Sequence, residues 1–228
     1  AGTAAAVALV AKGYDVRKGA IGDAAAVRDA LAGVSAVFLV TQFWGNVDAE
    51  AEYRDGKVFI DEVAAAVAAG QRIDLVFSAL ENVTRLTGGR ITSVVHFDGK
   101  GRIADYIRSL GLRSVHVLLA AYYENYLSVF KPRRQDDGSY VFVAPDTGDA
   151  PFNGVSVAEL GSFVRPIFDR YDEFVGRDIP IVADDITLKA TAETIAEICG
   201  HPVTVALIPY AAYAALPFHG AADLAGMF

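Results

Sequence analysis

Three apolar runs of strand length, Ser35 to Thr41, Ile73 to Ser78 and Ser114 to Leu119, alternate with longer stretches of helical periodicity, and no other feature restricts the fold as much. Such alternation is the signature of βα units around a mostly parallel sheet. The run Ser35 to Thr41 (SAVFLVT) is continuously apolar, which predicts a strand in the middle of a sheet covered on both faces. A long helix is expected from Val47 to Ala69, and another from Val95 to Leu110 with Ile103, Tyr106, Ile107 and Leu110 on one side. Before them, residues 3–11 read as an alanine-rich helix and Tyr14 to Arg17 as a short strand. Asp23 caps a helix carrying Val27, Ala30 and Leu31 and stopped by Gly33.

After residue 126 the rhythm changes. Pro132, Asp136-Asp137-Gly138 and Pro145 punctuate a loop-rich region around one aromatic strand, Tyr140 to Ala144. Ser156 to Glu159 has the form of a capping box, opening a helix with Leu160, Val164, Ile167 and Phe168 facing inward. Ile179 to Val182 and Val203 to Leu207 read as strands, and Thr187 caps a helix running to Cys199 and ended by Gly200. The expectation is a Rossmann-like α/β domain over 1–126 and a smaller α+β lobe over 127–228, not independent, with the chain free to cross back between them.

Composition narrows the function classes. With 228 residues of which 53% are apolar, and a mean hydropathy of +0.32, the chain can bury a sizeable core. Its 20 basic and 28 acidic residues leave a net charge of −8, which speaks against direct binding to nucleic acid or an anionic membrane. Small-molecule and protein partners remain. The single cysteine, Cys199, excludes a disulfide framework and a cysteine-based zinc site and fits a reducing cytoplasm. Thr3 to Ala11 is apolar but lacks a basic lead, so it makes a poor signal peptide.

Parallel α/β sheets bind ligands beyond the carboxyl ends of their strands. Those ends are Thr41-Gln42-Phe43-Trp44, Ser78 to Asn82, and Ala120 to Asn125, which offer hydroxyl, amide and aromatic groups suited to a flat polar ligand. The phosphate cradle of a dinucleotide site, a glycine-rich turn between strand and helix, is absent. Gly19 with Gly22, Gly88-Gly89, and Gly99 with Gly101 are in the wrong places. His96 and Lys100, four residues apart, project from one helix face. They are either a proton-moving pair with a ribose- or phosphate-binding lysine, or a helix-terminal histidine beside a solvated lysine. His116 reads as a satisfied core histidine, His201 and His219 have no ligand partner at metal spacing, and no Gly-x-Ser-x-Gly elbow occurs.

Seven segments resemble one family in order along nearly the whole chain. They are Val37 to Trp44, Phe77 to Val83 with Leu86 to Arg90, His96 to Gly101, Tyr122 to Asn125, Pro145 to Asp149, Gly154 to Gly161, and Gly220 to Phe228. On these the chain is similar to the NmrA-like family of atypical short-chain dehydrogenase/reductase proteins, particularly its HSCARG-type branch. The resemblance implies an NADP(H)-binding Rossmann domain and a redox-sensor role in which the nicotinamide pool changes a regulatory protein partner or the oligomeric state, a homodimer among the options. An NAD(P)H-dependent oxidoreductase of the quinone-reductase type, or a protein-binding remnant, are the alternatives.

By position, the resemblance implies that Thr41, Gln42 and Phe43 line the dinucleotide. Arg54 then approaches it, Lys100 is the retained reductase lysine, and Tyr122, Tyr123, Glu124 and Asn125 frame the nicotinamide end. His96 stands where reductases of this superfamily carry a tyrosine, which weakens ordinary reductase chemistry. Family members begin with a strand, the glycine-rich turn, a helix and a second strand. None of these precedes residue 3 here, so a fragment lacking the first βαβ unit is expected, with weak NADPH binding. The strand at 14–17 is then expected to pair directly with 36–41, since an open edge there would invite association.

Overall fold

The computed structural model describes residues 3–228. Helix α1 (Ala4–Ala11), capped by Thr3, and α2 (Ala24–Leu31), capped by Asp23, are followed by β1 (Ala36–Leu39) and the long α3 (Ala49–Ala68). Then come β2 (Asp74–Ala79), the one-turn α4 (Val83–Leu86), α5 (Val95–Ser109) and β3 (Ser114–Leu119). The remainder contains β4 (Ala121–Tyr122), β5 (Arg133–Arg134), β6 (Tyr140–Pro145), β7 (Pro151–Val155), α6 (Leu160–Asp169) and α7 (Tyr171–Phe174). It ends with β8 (Asp178–Ile181), β9 (Asp184–Thr187), α8 (Leu188–Cys199), β10 (Val203–Ile208), α9 (Tyr210–Ala214) and α10 (Ala221–Met227).

The main sheet is wholly parallel in the order β1-β2-β3-β8, so its fourth strand comes from the second half of the chain. Alternation along the strands sends Leu39, Leu75 and Phe77 to one face, where they meet Ile60 of α3 and Ile103 and Ile107 of α5. Each of those buried side chains contributes about 1.5–3 kcal/mol by leaving water. On the other face Val76, Val115 and Val117 pack against Val164, Ile167 and Tyr171. Two three-stranded sheets, β10-β6-β5 and β4-β7-β9, complete the fold. The first is covered by α8 through Leu188 and Ala192, and Gly200 ends that helix in the left-handed conformation (φ +68°).

Two expectations about the sheet are overturned. Residues 14–17 form no strand; Tyr14 is exposed and Arg17 turns to Asp15 and to Asp29 of α2. Consequently β1 is an edge strand with β2 as its one strand neighbour among the described residues. Nor is it covered on both faces. Val37 and Leu39 pack under the helices, but Phe38 (37% exposed) and Val40 (44%) look out from a face that α6 does not reach. An apolar run reports the wish to be buried, and whether a covering element exists is decided elsewhere in the chain.

The capping box at Ser156 is also built differently. Ser156 accepts from the Ala158 N–H at 3.2 Å. The reciprocal acid is Glu124, which receives the Ser156 hydroxyl at 2.8 Å and the Val157 N–H at 3.1 Å.

Candidate functional site

The carboxyl ends of β1 and β2, the start of α3 and the first turns of α5 meet at one end of the main sheet. Here the structure brings Thr41 and Lys100 together through a residue that sequence reasoning missed. The Lys100 ammonium lies 2.9 Å from the Thr41 carbonyl, 2.9 Å from the Thr41 hydroxyl and 2.6 Å from Glu52 Oε1. The Thr41 hydroxyl donates to the same carboxylate oxygen at 2.6 Å. An ammonium has three N–H donors, and three acceptors are already in place. Glu52 is buried, and its Oε2 has no hydrogen-bond partner. Gly99 lies against that oxygen, where a Cβ would approach to 2.9 Å.

One turn earlier on α5, His96 belongs to a second cluster. Its backbone N–H donates to Asp223 Oδ1 at 3.1 Å and its Nδ1 meets Asp223 Oδ2 in a close contact. Val94 at the start of α5 offers no side-chain cap, so a carboxylate from α10 serves instead. The imidazole is enclosed by Phe43, Trp44 and Phe97, with ring centroids 5.7, 5.1 and 4.7 Å away. Trp44 is half exposed and packs on Gly220, whose φ of +91° leaves no place for a side chain. Phe43 is fully buried in this cluster, whereas Gln42 is exposed. His96 and Lys100 thus share a helix face but take different partners.

The third loop is tied to the β4-β7-β9 sheet. Tyr123 donates to Asp184 at 2.6 Å and its ring covers Gly154, where a Cβ would come within 2.1 Å. Burial and this carboxylate push its hydroxyl pKa up. Tyr122 is half-buried, which also raises its hydroxyl pKa, and Glu124 adds to the effect. The N–H of Val157 and the hydroxyl of Ser156 hold the Glu124 carboxyl below the usual carboxylate range. The Asn125 carbonyl accepts from Ser128 and Phe130 and shapes the following turn. Arg54 is exposed on α3, two residues after Glu52 and therefore about 200° around the helix axis.

His116 is a core histidine. It is 3% exposed, with Nδ1 2.9 Å from Arg108 and 3.1 Å from Asp178, and Nε2 3.3 Å from the Ser114 hydroxyl. This cluster lies at the amino ends of β3 and β8, opposite the candidate site. No group of ligating side chains that could hold a metal ion occurs among the described residues.

The family model described as NmrA-like family matches residues 1–228. The chain belongs to the NmrA-like family. Solved structures share its fold. One is NmrA, a negative transcriptional regulator crystallised with NAD, at 17% identity and TM-score 0.81 over 100% of this chain and 70% of that one. Another is an NADPH-dependent quinone oxidoreductase from Escherichia coli complexed with NADPH, at 22% identity and TM-score 0.74 over 97% and 74%. A third is the Citrobacter sp. triphenylmethane reductase complexed with NADP(H), at 16% identity and TM-score 0.72 over 97% and 75%. The α/β fold with a mostly parallel sheet is therefore that of NmrA-like structures.

A dinucleotide needs a pyrophosphate cradle, and both helix starts at this end of the sheet carry a carboxylate. Helix N-termini attract phosphate when their N–H groups are free. The α3 terminus is closed by Asp48, which takes the N–H groups of Glu50 and Ala51 at 2.9 Å each. Asp223 closes α5. Gly99 and Gly101 are packed against Glu52 and the Asn82 backbone. Glu52 and Asp223 could not be found in the sequence, because an acid in a helix reads as solvated until its burial is known.

Proposed function

We propose that this protein is a regulatory, redox-sensing member of the NmrA-like family that interacts weakly with NADP(H) and transfers no hydride. The engagement of Lys100 by Thr41 and Glu52 carries this reading. A reductase site needs that ammonium free for the cofactor ribose and for a neighbouring acid, and here its donors are matched by protein acceptors. The carboxylate-capped helices favour weak pyrophosphate binding in the same sense. The bare face of β1, with Phe38 and Val40, offers a surface for a protein partner or a second copy. A cytoplasmic setting accords with the free, exposed Cys199 and with the lack of a helix long and apolar enough to cross a membrane among the described residues.

The test combines an NADPH fluorescence titration with a turnover assay using a soluble quinone. Weak binding and no quinone-dependent NADPH oxidation are expected. Quinone-dependent NADPH oxidation by the wild type, lost in a Lys100→Ala variant shown to be folded by circular dichroism, would overturn the proposal in favour of an NAD(P)H-dependent oxidoreductase, the reading that the buried His96–Asp223 pair favours.

A further inference from the structure

We infer that Asp223 is the positioning residue of His96, holding its imidazole as the Nδ1–H tautomer so that Nε2 is the acceptor nitrogen of a carboxylate–imidazole dyad. One carboxylate addresses both ends of the same residue, Oδ1 through the backbone N–H at 3.1 Å and Oδ2 through Nδ1. His96 Nδ1 and Asp223 Oδ2 are buried without an aligned hydrogen bond, and the close contact between them is the one polar approach each makes. Both side chains are more than nine-tenths buried, so water does not compete for the contact. An ionised carboxylate has no proton to offer, and an unprotonated ring nitrogen against it would set lone pair against lone pair, which places the ring proton on the nitrogen that faces it.

The neighbouring charges are committed elsewhere. Lys100 is held by Thr41 and Glu52, and Asp98 accepts from the Thr84 N–H at 3.0 Å and from its hydroxyl at 2.5 Å. The rings of Phe43, Trp44 and Phe97 restrict rotation of the imidazole. The polarity is then the reverse of a phenol proton donor: a neutral ring in this tautomer presents Nε2 as an acceptor. The inference stands apart from any NADP(H) binding, because the tautomer belongs to the protein alone.

The test is imidazole 15N NMR of the full chain at alkaline pH, with His96 assigned by its loss in His96→Gln. A pyrrole-type Nδ1 signal and a pyridine-type Nε2 signal are expected for His96 in the wild type. Neutral imidazole in water prefers its proton on Nε2, so Asp223→Ala should exchange the two signal types, while Asp223→Asn should retain more of the original pattern. A wild-type His96 protonated on Nε2 would overturn the inference, and so would an unchanged pattern in a folded Asp223→Ala. If Asp223→Ala does not fold, the wild-type spectrum decides alone.

Discussion

Lys100 and Glu52, 48 residues apart in the chain, meet at 2.6 Å in the core, with the Thr41 hydroxyl bridging them. The lysine side chain is 14% exposed and the glutamate side chain not at all. Removing one member of a buried pair leaves an uncompensated charge, whereas replacing both by apolar groups is often neutral. Lys100→Met is therefore expected to lower stability by about 3–5 kcal/mol. The double variant Lys100→Met/Glu52→Leu should recover most of that loss. Urea denaturation midpoints of the three proteins check this, and a double variant no more stable than Lys100→Met would contradict it.

Two glycines in the helices beneath the sheet should respond differently to alanine. A Cβ on Gly101 would come within 2.5 Å of the Asn82 backbone nitrogen, at the loop that starts α4. A Cβ on Gly56 would meet Ile103 Cδ1, also at 2.5 Å, but there the obstacle is a side chain and not the backbone. Overpacking of this kind costs about 1–3 kcal/mol, against a gain of up to about 1 kcal/mol in helix propensity. Gly101→Ala should be clearly destabilised, and Gly56→Ala less so or neutral. Thermal midpoints measured side by side distinguish the two.

His116 makes stability depend on pH. Burial pushes its pKa below the ordinary 6.5, and the Arg108 guanidinium adds to this while Asp178 opposes it. Because the folded-state value is depressed, the unfolded chain binds the proton first as pH falls. The contribution of the neutral ring is complete above about pH 6.5 and is lost as the pH drops toward the depressed folded value. Wild type should lose more thermal stability than His116→Gln between pH 7 and pH 5. Parallel melting curves across that interval would test it, and equal slopes would refute it.

The uncovered face of β1 should promote self-association. Phe38 on this edge strand and Val40 just past its end stand exposed, and lysine at such positions discourages strand-to-strand contact. Val40→Lys is expected to reduce concentration-dependent association in light scattering while changing stability by no more than about 0.5 kcal/mol. Unchanged association would mean that this face is not responsible.

The expected helix caps at Asp23, Thr187 and Gly200 and the strand Ser114–Leu119 were legible because each depends on residues within a few positions of one another. The strands β7 and β9 were not, since Pro151–Val155 is short and broken by proline and glycine, Asp184–Thr187 is short and mostly polar, and the two become strands by pairing with each other. The candidate site divides in the same way. Thr41, His96 and Lys100 could be named from their places at a strand end and on one helix face. Their partners could not: Asp223 reaches His96 across 127 residues of chain.

By itself, then, the amino-acid sequence determined the α/β class, the parallel strands, several helix caps and membership of the NmrA-like family, all of which are carried by periodicity and ordered motifs. The tertiary structure alone decided that β1 lies at an edge, that Glu52 and Asp223 are buried, and that Lys100 and His96 are held by them rather than by each other. The physical reason is that burial of a charge and closure of a sheet edge depend on which distant elements arrive to cover them, and local sequence carries no record of that arrival.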